Sequence, residues 1–143
     1  MTSSSTIIRC GSCGTKNRVA DTAPGRPRCA KCHSDLPWLV ETTDPEVLEL
    51  GALPVLVDFW APWCGPCRTV SPAVERLSGE FAGRLKVVKV NVDDAPSLSA
   101  RYGVQGIPAL FLLHDGDVVA NVVGAAPIDR LRSWLEQNLA GRS

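Results

Sequence analysis

No stretch of this chain approaches the ~18 consecutive apolar residues that a membrane-spanning helix needs, so the sequence predicts no transmembrane segment. The first residues, Met1 to Thr6, are Ser/Thr-rich and carry no early charge, and the apolar pair Ile7–Ile8 is too short for the apolar stretch of a secretory signal. Neither sign of charge dominates, since 15 Lys and Arg balance 15 Asp and Glu. That balance excludes a chain basic throughout, as a general nucleic-acid binder would be. With hydrophobic residues at 45% and charged ones at 21%, broad disorder is excluded too.

The charge is nevertheless unevenly placed. Residues 1–36 hold Arg9, Lys16, Arg18, Arg26, Arg28 and Lys31 against Asp21 and Asp35, a sum of +4, so the remainder sums to −4. Such asymmetry points to two modules, 1–36 and 37–143. Four thiolates and a divalent cation in the front module would bring its charge to about +2, and it has few aromatic residues for base stacking. Nucleic acid is therefore not expected as a partner.

The six cysteines form three C-x-x-C pairs: Cys10/Cys13, Cys29/Cys32 and Cys64/Cys67. Without a secretory signal they read as cytoplasmic metal or redox chemistry, not as a disulfide framework. The first two pairs lie fifteen residues apart in polar, Gly- and Pro-bearing sequence too poor in apolar residues for a core of its own. Four thiolates at this spacing suit one closed, tetrahedral, structural Zn2+ site, which would supply folding energy to the segment. Free thiols, or thiols that pair on oxidation, are the alternative. Gly14 after Cys13 suits a tight knuckle, whereas His33 occupies the corresponding place after Cys32; the other histidine, His114, precedes a turn and is expected to be exposed.

From Trp38 the periodicity changes. A short strand at Trp38–Val40, a helix at Pro45–Leu50 capped by Asp44, and a near-continuous apolar strand at Leu53–Trp60 are predicted. Val70, Val74, Leu77 and Phe81 predict a helix from about Cys64 to Glu80, with Pro72 inside it. Strand Leu85–Val92, helix Pro96–Tyr102, a hairpin around Asp115–Gly116 and a final helix striped by Ile128, Leu131, Leu135 and Leu139 follow. The order βαβαβαββα predicts an α/β fold, a central mixed sheet flanked by helices.

The third cysteine pair lies where a buried strand gives way to a helix. Amides at a helix start lack internal partners and carry partial positive charge, which stabilises a thiolate there. Cys64 is the expected nucleophile towards a target disulfide, and Cys67 the residue that resolves the mixed disulfide. Asp58 sits within Leu53-Pro54-Val55-Leu56-Val57-Asp58-Phe59-Trp60. An isolated buried carboxylate is costly, so its pKa should rise, and it could take the resolving thiol's proton. A frayed strand end is the plainer reading of that aspartate, and the apolar neighbours on both sides speak against it.

Phe59-Trp60-Ala61-Pro62-Trp63-Cys64-Gly65-Pro66-Cys67 closely resembles the active-site stretch of the thioredoxin family. Lys89-Val90-Asn91-Val92-Asp93, Tyr102-Gly103-Val104, Gly106-Ile107-Pro108 and Gly124 follow in the family's order, so the resemblance spans about residues 38–140. With the two front cysteine pairs, and Asn17–Arg18 after the first, the chain is similar to the zinc-binding bacterial class often called thioredoxin 2. The resemblance implies that Asp58 deprotonates Cys67 with Lys89 tuning it, and that Gly65 and Pro66 set the redox potential. It also implies that Pro108 is cis, where composition alone favours trans. Trp63, Gly106, Ile107, Pro108 and Gly124 would form the surface that docks substrate backbone. The implied function is a cytosolic protein-disulfide reductase recharged by thioredoxin reductase and NADPH, with no flavin or nicotinamide bound by this chain. A redox-responsive zinc-binding chaperone, or a nucleic-acid or partner-binding module on a thioredoxin scaffold, is the alternative.

Overall fold

The computed structural model describes residues 4–140, so Met1–Ser3 of the Ser/Thr-rich start and residues 141–143 of the second predicted module lie outside the described residues. The chain opens with two strands the sequence did not announce, β1 (Ser5–Arg9) and β2 (Lys16–Ala20). They pair antiparallel, Ser5 opposite Ala20 and Arg9 opposite Lys16. Their inward residues, Ile8, Asn17 and Val19, alternate with exposed ones, among them Ile7, Arg9, Lys16 and Arg18.

The predicted alternation follows: β3 (Trp38–Glu41), α1 (Pro45–Glu49), β4 (Val55–Trp60), α2 (Gly65–Glu80), β5 (Lys86–Asn91), α3 (Pro96–Arg101), β6 (Ala109–His114), β7 (Asp117–Val123) and α4 (Ile128–Leu139). The five later strands form one sheet in the order β3-β5-β4-β6-β7. β5 runs parallel to β3 and β4, while β6 runs antiparallel to β4 and β7. Asp115 and Gly116 both take positive φ, 53° and 83°, as a two-residue hairpin turn of primed type requires. His114 beside it is half-buried rather than exposed, with Nδ1 3.8 Å from the Asp115 carboxylate.

Local chemistry sets several boundaries. Asp44 caps α1 by accepting the Glu46 amide at 2.9 Å, with Pro45 at the first position. β4 begins at Val55 and not at Leu53, because Pro54 has no amide and contributes only its carbonyl, which accepts from Lys86 N. α4 is capped by Pro127, whose carbonyl receives the amides of Arg130 and Leu131.

Core forms on both faces of the sheet. On one, Leu56, Val87, Leu110 and Leu112 pack against Val70, Val74 and Leu77 of α2 and Leu131 and Leu135 of α4. On the other, Val57, Phe59, Val88, Val90 and Phe111 pack with Val47 and Leu48 of α1 and Leu98 of α3. This second core also takes in Ile8, Val19, Cys29 and Leu36 from the N-terminal segment. The segment that is too apolar-poor to make a core thus joins the one next to it. Lys86 sits in this core at 1% exposure, its ammonium donating to the carbonyls of Asp21 and Val47 and lying 4.5 Å from the Trp38 ring centre. Burial pushes its pKa down to about 8, and the nearby Asp21 opposes that. Among the described residues no helix is long and apolar enough to cross a membrane.

Candidate active site and metal centre

β4 delivers the chain at Trp60 into a short turn closed by Cys64 N donating to Ala61 O, and α2 starts at the next residue. Cys64 is therefore the N-cap of a sixteen-residue helix. Its sulfur accepts the Cys67 amide at 3.2 Å, a side-chain cap made by sulfur instead of oxygen. Negative charge on that sulfur is stabilised by this amide and by the helix dipole. Cys64 and Cys67 form a disulfide with Cα atoms 5.4 Å apart, and both are 4% exposed. Gly65 and Pro66 make the exposed first turn between them.

Asp58 lies on β4, 1% exposed, with no hydrogen-bond partner on its Oδ1. Desolvation raises its pKa to about 6; the Lys89 charge opposes the rise, and Glu41 and Glu75 add to it. Lys89 is the register partner of Asp58 across β4 and β5. Its ammonium donates to Ser71 Oγ at 2.6 Å, lies 3.8 Å from Glu75 Oε1 and sits 5.3 Å from the Trp60 ring centre. Ser71 and Glu75 were not singled out from the sequence. Ser71 could have been, since it follows Cys67 by four residues and so shares its helix face.

A second loop faces the cysteines. The Ile107–Pro108 bond is cis, and Ile107 packs against the cluster of Ala61, Cys64 and Cys67. Gly124 N donates to Pro108 O at 2.8 Å, at a φ of 96° that glycine tolerates without a Cβ penalty. Gly106 lies beside Val123, where a Cβ would meet the Val123 side chain at 3.5 Å. Trp63 is 68% exposed and donates its indole N–H to both Asp93 carboxylate oxygens, at 3.0 and 3.2 Å. An exposed indole tethered at one end is a flat apolar surface held ready beside a reactive sulfur.

At the other cysteine pairs the chain makes the same turn twice. Cys10 N donates to Thr15 O and Gly14 N to Cys10 O; Cys29 N donates to Ser34 O and His33 N to Cys29 O. Gly14 and His33 both take the left-handed conformation, φ 76° and 66°. His33 thus stands where the sequence pattern suits a glycine, and it is not among the clustered sulfur ligands. All four cysteine sulfurs lie within 4.8 Å of one another, with Cys10–Cys32 and Cys13–Cys29 at 3.6 Å. Four thiolates bound to zinc at ~2.3 Å would be spaced by about 3.8 Å, so the cluster is already close to the size of a tetrahedral metal site. The amides of Cys32 and Lys31, with Asn17 and Cys13 adding, bring the Cys29 thiol down to about 6 against its burial, which favours the thiolate that a metal needs. Asn17 also braces the second knuckle by accepting the Ala30 amide at 2.9 Å.

Comparison with known proteins agrees with this geometry. A family profile described as thioredoxin matches residues 39–137, beginning directly after the four-cysteine segment. The chain is 49% identical over 98 residues to thioredoxin 1 of Synechococcus elongatus, covering 68% of this chain and 91% of that protein. It is 46% identical over 105 residues to thioredoxin C-2 of Corynebacterium nephridii, covering 71% and 96%. Against thioredoxin of Haemophilus influenzae it is 48% identical over 87 residues, covering 61% and 81%. With a disulfide-forming C-x-x-C pair at the head of α2 and these matches, the chain belongs to the thioredoxin family of thiol–disulfide oxidoreductases, its N-terminal cysteine cluster consistent with the zinc-ribbon class, thioredoxin 2.

Proposed function

We propose that the protein is a cytosolic protein-disulfide reductase. The observation that carries this reading is the Cys64 sulfur at the head of α2, receiving the Cys67 amide. The Cys64 thiolate attacks one sulfur of a target disulfide, forming a Cys64–target disulfide and expelling the other target sulfur as a thiolate, which takes a proton. Cys67 gives its proton to Asp58 and attacks Cys64 Sγ. The Cys64–Cys67 disulfide forms, the second target thiol leaves, and two electrons have passed to the target. An acid of pKa about 6 suits that proton transfer near neutral pH, and Lys89 tunes it. Gly65 and Pro66 shape the turn that sets the redox potential. Trp63, Gly106, Ile107, Pro108 and Gly124 dock the substrate backbone. Thioredoxin reductase, drawing on NADPH, restores the dithiol.

Cys10, Cys13, Cys29 and Cys32 hold one structural Zn2+; the donor set and the 3.6 Å sulfur spacings support this. These four thiolates would hold the ion as a structural link between the two knuckles. Residues 1–36 then form the ribbon and 37–143 the oxidoreductase domain.

The test is NADPH consumption with thioredoxin reductase and insulin. Steady turnover by the wild type, abolished in Cys64→Ser, is expected. An absence of turnover in the wild type would rule out this electron donor or the reducing role.

A further inference from the structure

Glu41, Lys89 and Asp58 stand in one row across β3, β5 and β4, each opposite the next in the ladder. Residues opposite one another in register point to the same face of the sheet. Leu56, Val87 and Leu39 lie on that face and pack in the core covered by α2, so α2 covers the row as well. Lys89 is 7% exposed and Asp58 1%, yet the two are not joined. The ammonium spends its contacts on Ser71 Oγ at 2.6 Å and on Glu75 at 3.8 Å, both on α2, while Asp58 Oδ1 goes without a partner. A buried carboxylate with no partner beside a lysine is an arrangement that something else must hold open.

We infer that Ser71 is a positioning residue: its hydroxyl, seconded by the Glu75 carboxylate, draws the Lys89 ammonium towards α2 and away from Asp58, leaving Asp58 able to take up and return a proton. This rests on the reading of Asp58 as the base for Cys67. The other groups facing Asp58 fit the arrangement. Lys89 from β5 favours its charged form, Glu41 from β3 and Glu75 from α2 oppose it, and its β6 register partner, Leu110, is apolar. Cys67 is the thiol at the head of the covering helix. Without the Ser71 hydroxyl, the buried acceptor on this face that lacks a partner among the described residues is Asp58 Oδ1, on the strand next to Lys89, and a lysine paired there lowers a carboxyl by 1–3 units as a rule.

The test is the titration of the Asp58 side-chain carboxyl by carbon NMR in the oxidised protein, a readout that needs no reductase cycle. Ser71→Ala is expected to lower the Asp58 midpoint by about one unit or more. Ser71→Thr, which keeps the hydroxyl, is expected to restore the wild-type midpoint. Glu75→Gln is expected to lower it in any case by removing a like charge near Asp58, so Ser71→Gly, which also lacks the hydroxyl, decides the matter should Ser71→Ala fold poorly. A midpoint that stays in place or rises in the variants without the hydroxyl overturns the inference, as does a Ser71→Thr protein that behaves like Ser71→Ala. If the midpoint falls while the pH profile of insulin reduction stays fixed, the positioning role stands and the reading of Asp58 as base fails.

Discussion

The Lys86 ammonium, on the inner strand β5, donates to the backbone carbonyl of Asp21, at the end of the N-terminal hairpin. Asp21 is itself buried and receives the Thr6 hydroxyl at 2.7 Å, so hairpin and sheet share one polar junction inside one core. Ile8, Val19, Cys29 and Leu36 surround it in the same apolar cluster.

Metal removal should therefore be felt throughout the fold. Each large apolar side chain withdrawn from the core costs ~1.5–3 kcal/mol, so Cys10→Ser/Cys29→Ser is expected to destabilise the chain by about 3 kcal/mol or more. Thermal unfolding should remain one transition at a lower midpoint. Disulfide reduction well below that midpoint should be largely kept, since none of these cysteines lies in the Cys64–Cys67 cluster. A separate low transition, with the main one unmoved, would show that the ribbon folds independently.

Asp58 makes stability depend on pH. Its folded value of about 6 exceeds its ordinary 3.8, so the folded chain binds the proton more tightly than the unfolded one. The stabilisation is whole below the ordinary value and lost as pH rises through about 6. Above that the buried charge costs about 3 kcal/mol, at roughly 1.4 kcal/mol per unit. Asp58→Asn is expected to be more stable than wild type by up to about this amount near pH 8 and by little near pH 4. Urea unfolding at both pH values measures it; an equal gain at both would place the effect in packing rather than ionisation.

Cys67→Ser removes the sulfur proposed to release the target. Incubated with a disulfide substrate, this variant should accumulate a covalent adduct of Cys64, seen as a mass increase that dithiothreitol reverses. Cys64→Ser should form no such adduct under the same conditions. The opposite pattern would exchange the roles of the two cysteines.

Gly83 has φ +82°, and a Cβ there would come within 2.6 Å of Asp35 Cγ. Asp35 in turn lies 3.6 Å from both Arg26 and Arg28. Gly83→Ala is expected to cost about 1–2 kcal/mol. Gly79 lies in α2 with open space around it, so Gly79→Ala should gain roughly 0.5–1 kcal/mol. Denaturant midpoints for the pair test this; equal effects would mean that backbone conformation at Gly83 does not matter.

The periodicity of residues 38–140 was enough to read the strand–helix alternation, because apolar runs such as Val55–Trp60 and Leu110–Leu113 are buried on both faces. The knuckle spacing and the buried Asp58 were legible for the same reason: each needs an unusual residue in a defined setting. β1 and β2 were not, since Ile8 and Val19 make sense only against a core contributed by the rest of the chain. Lys86 in Leu85-Lys86-Val87-Val88 looks like an ordinary strand-end charge, and its burial depends on carbonyls 65 and 39 residues away in sequence. The Ser71–Lys89 and Trp63–Asp93 contacts likewise depend on which elements meet, which local pattern does not encode.

β3 is four residues long and forms one rim of the sheet, and the N-terminal hairpin packs against it through β1. A bare rim offers unpaired amides and carbonyls to any extended chain that reaches it. The hairpin, closed at its turn by the first cysteine knuckle, thus acts as a guard on that rim. Loosening it would leave the protein open to strand addition from a second molecule, so self-association should track the state of the knuckles even while the dithiol site remains chemically competent.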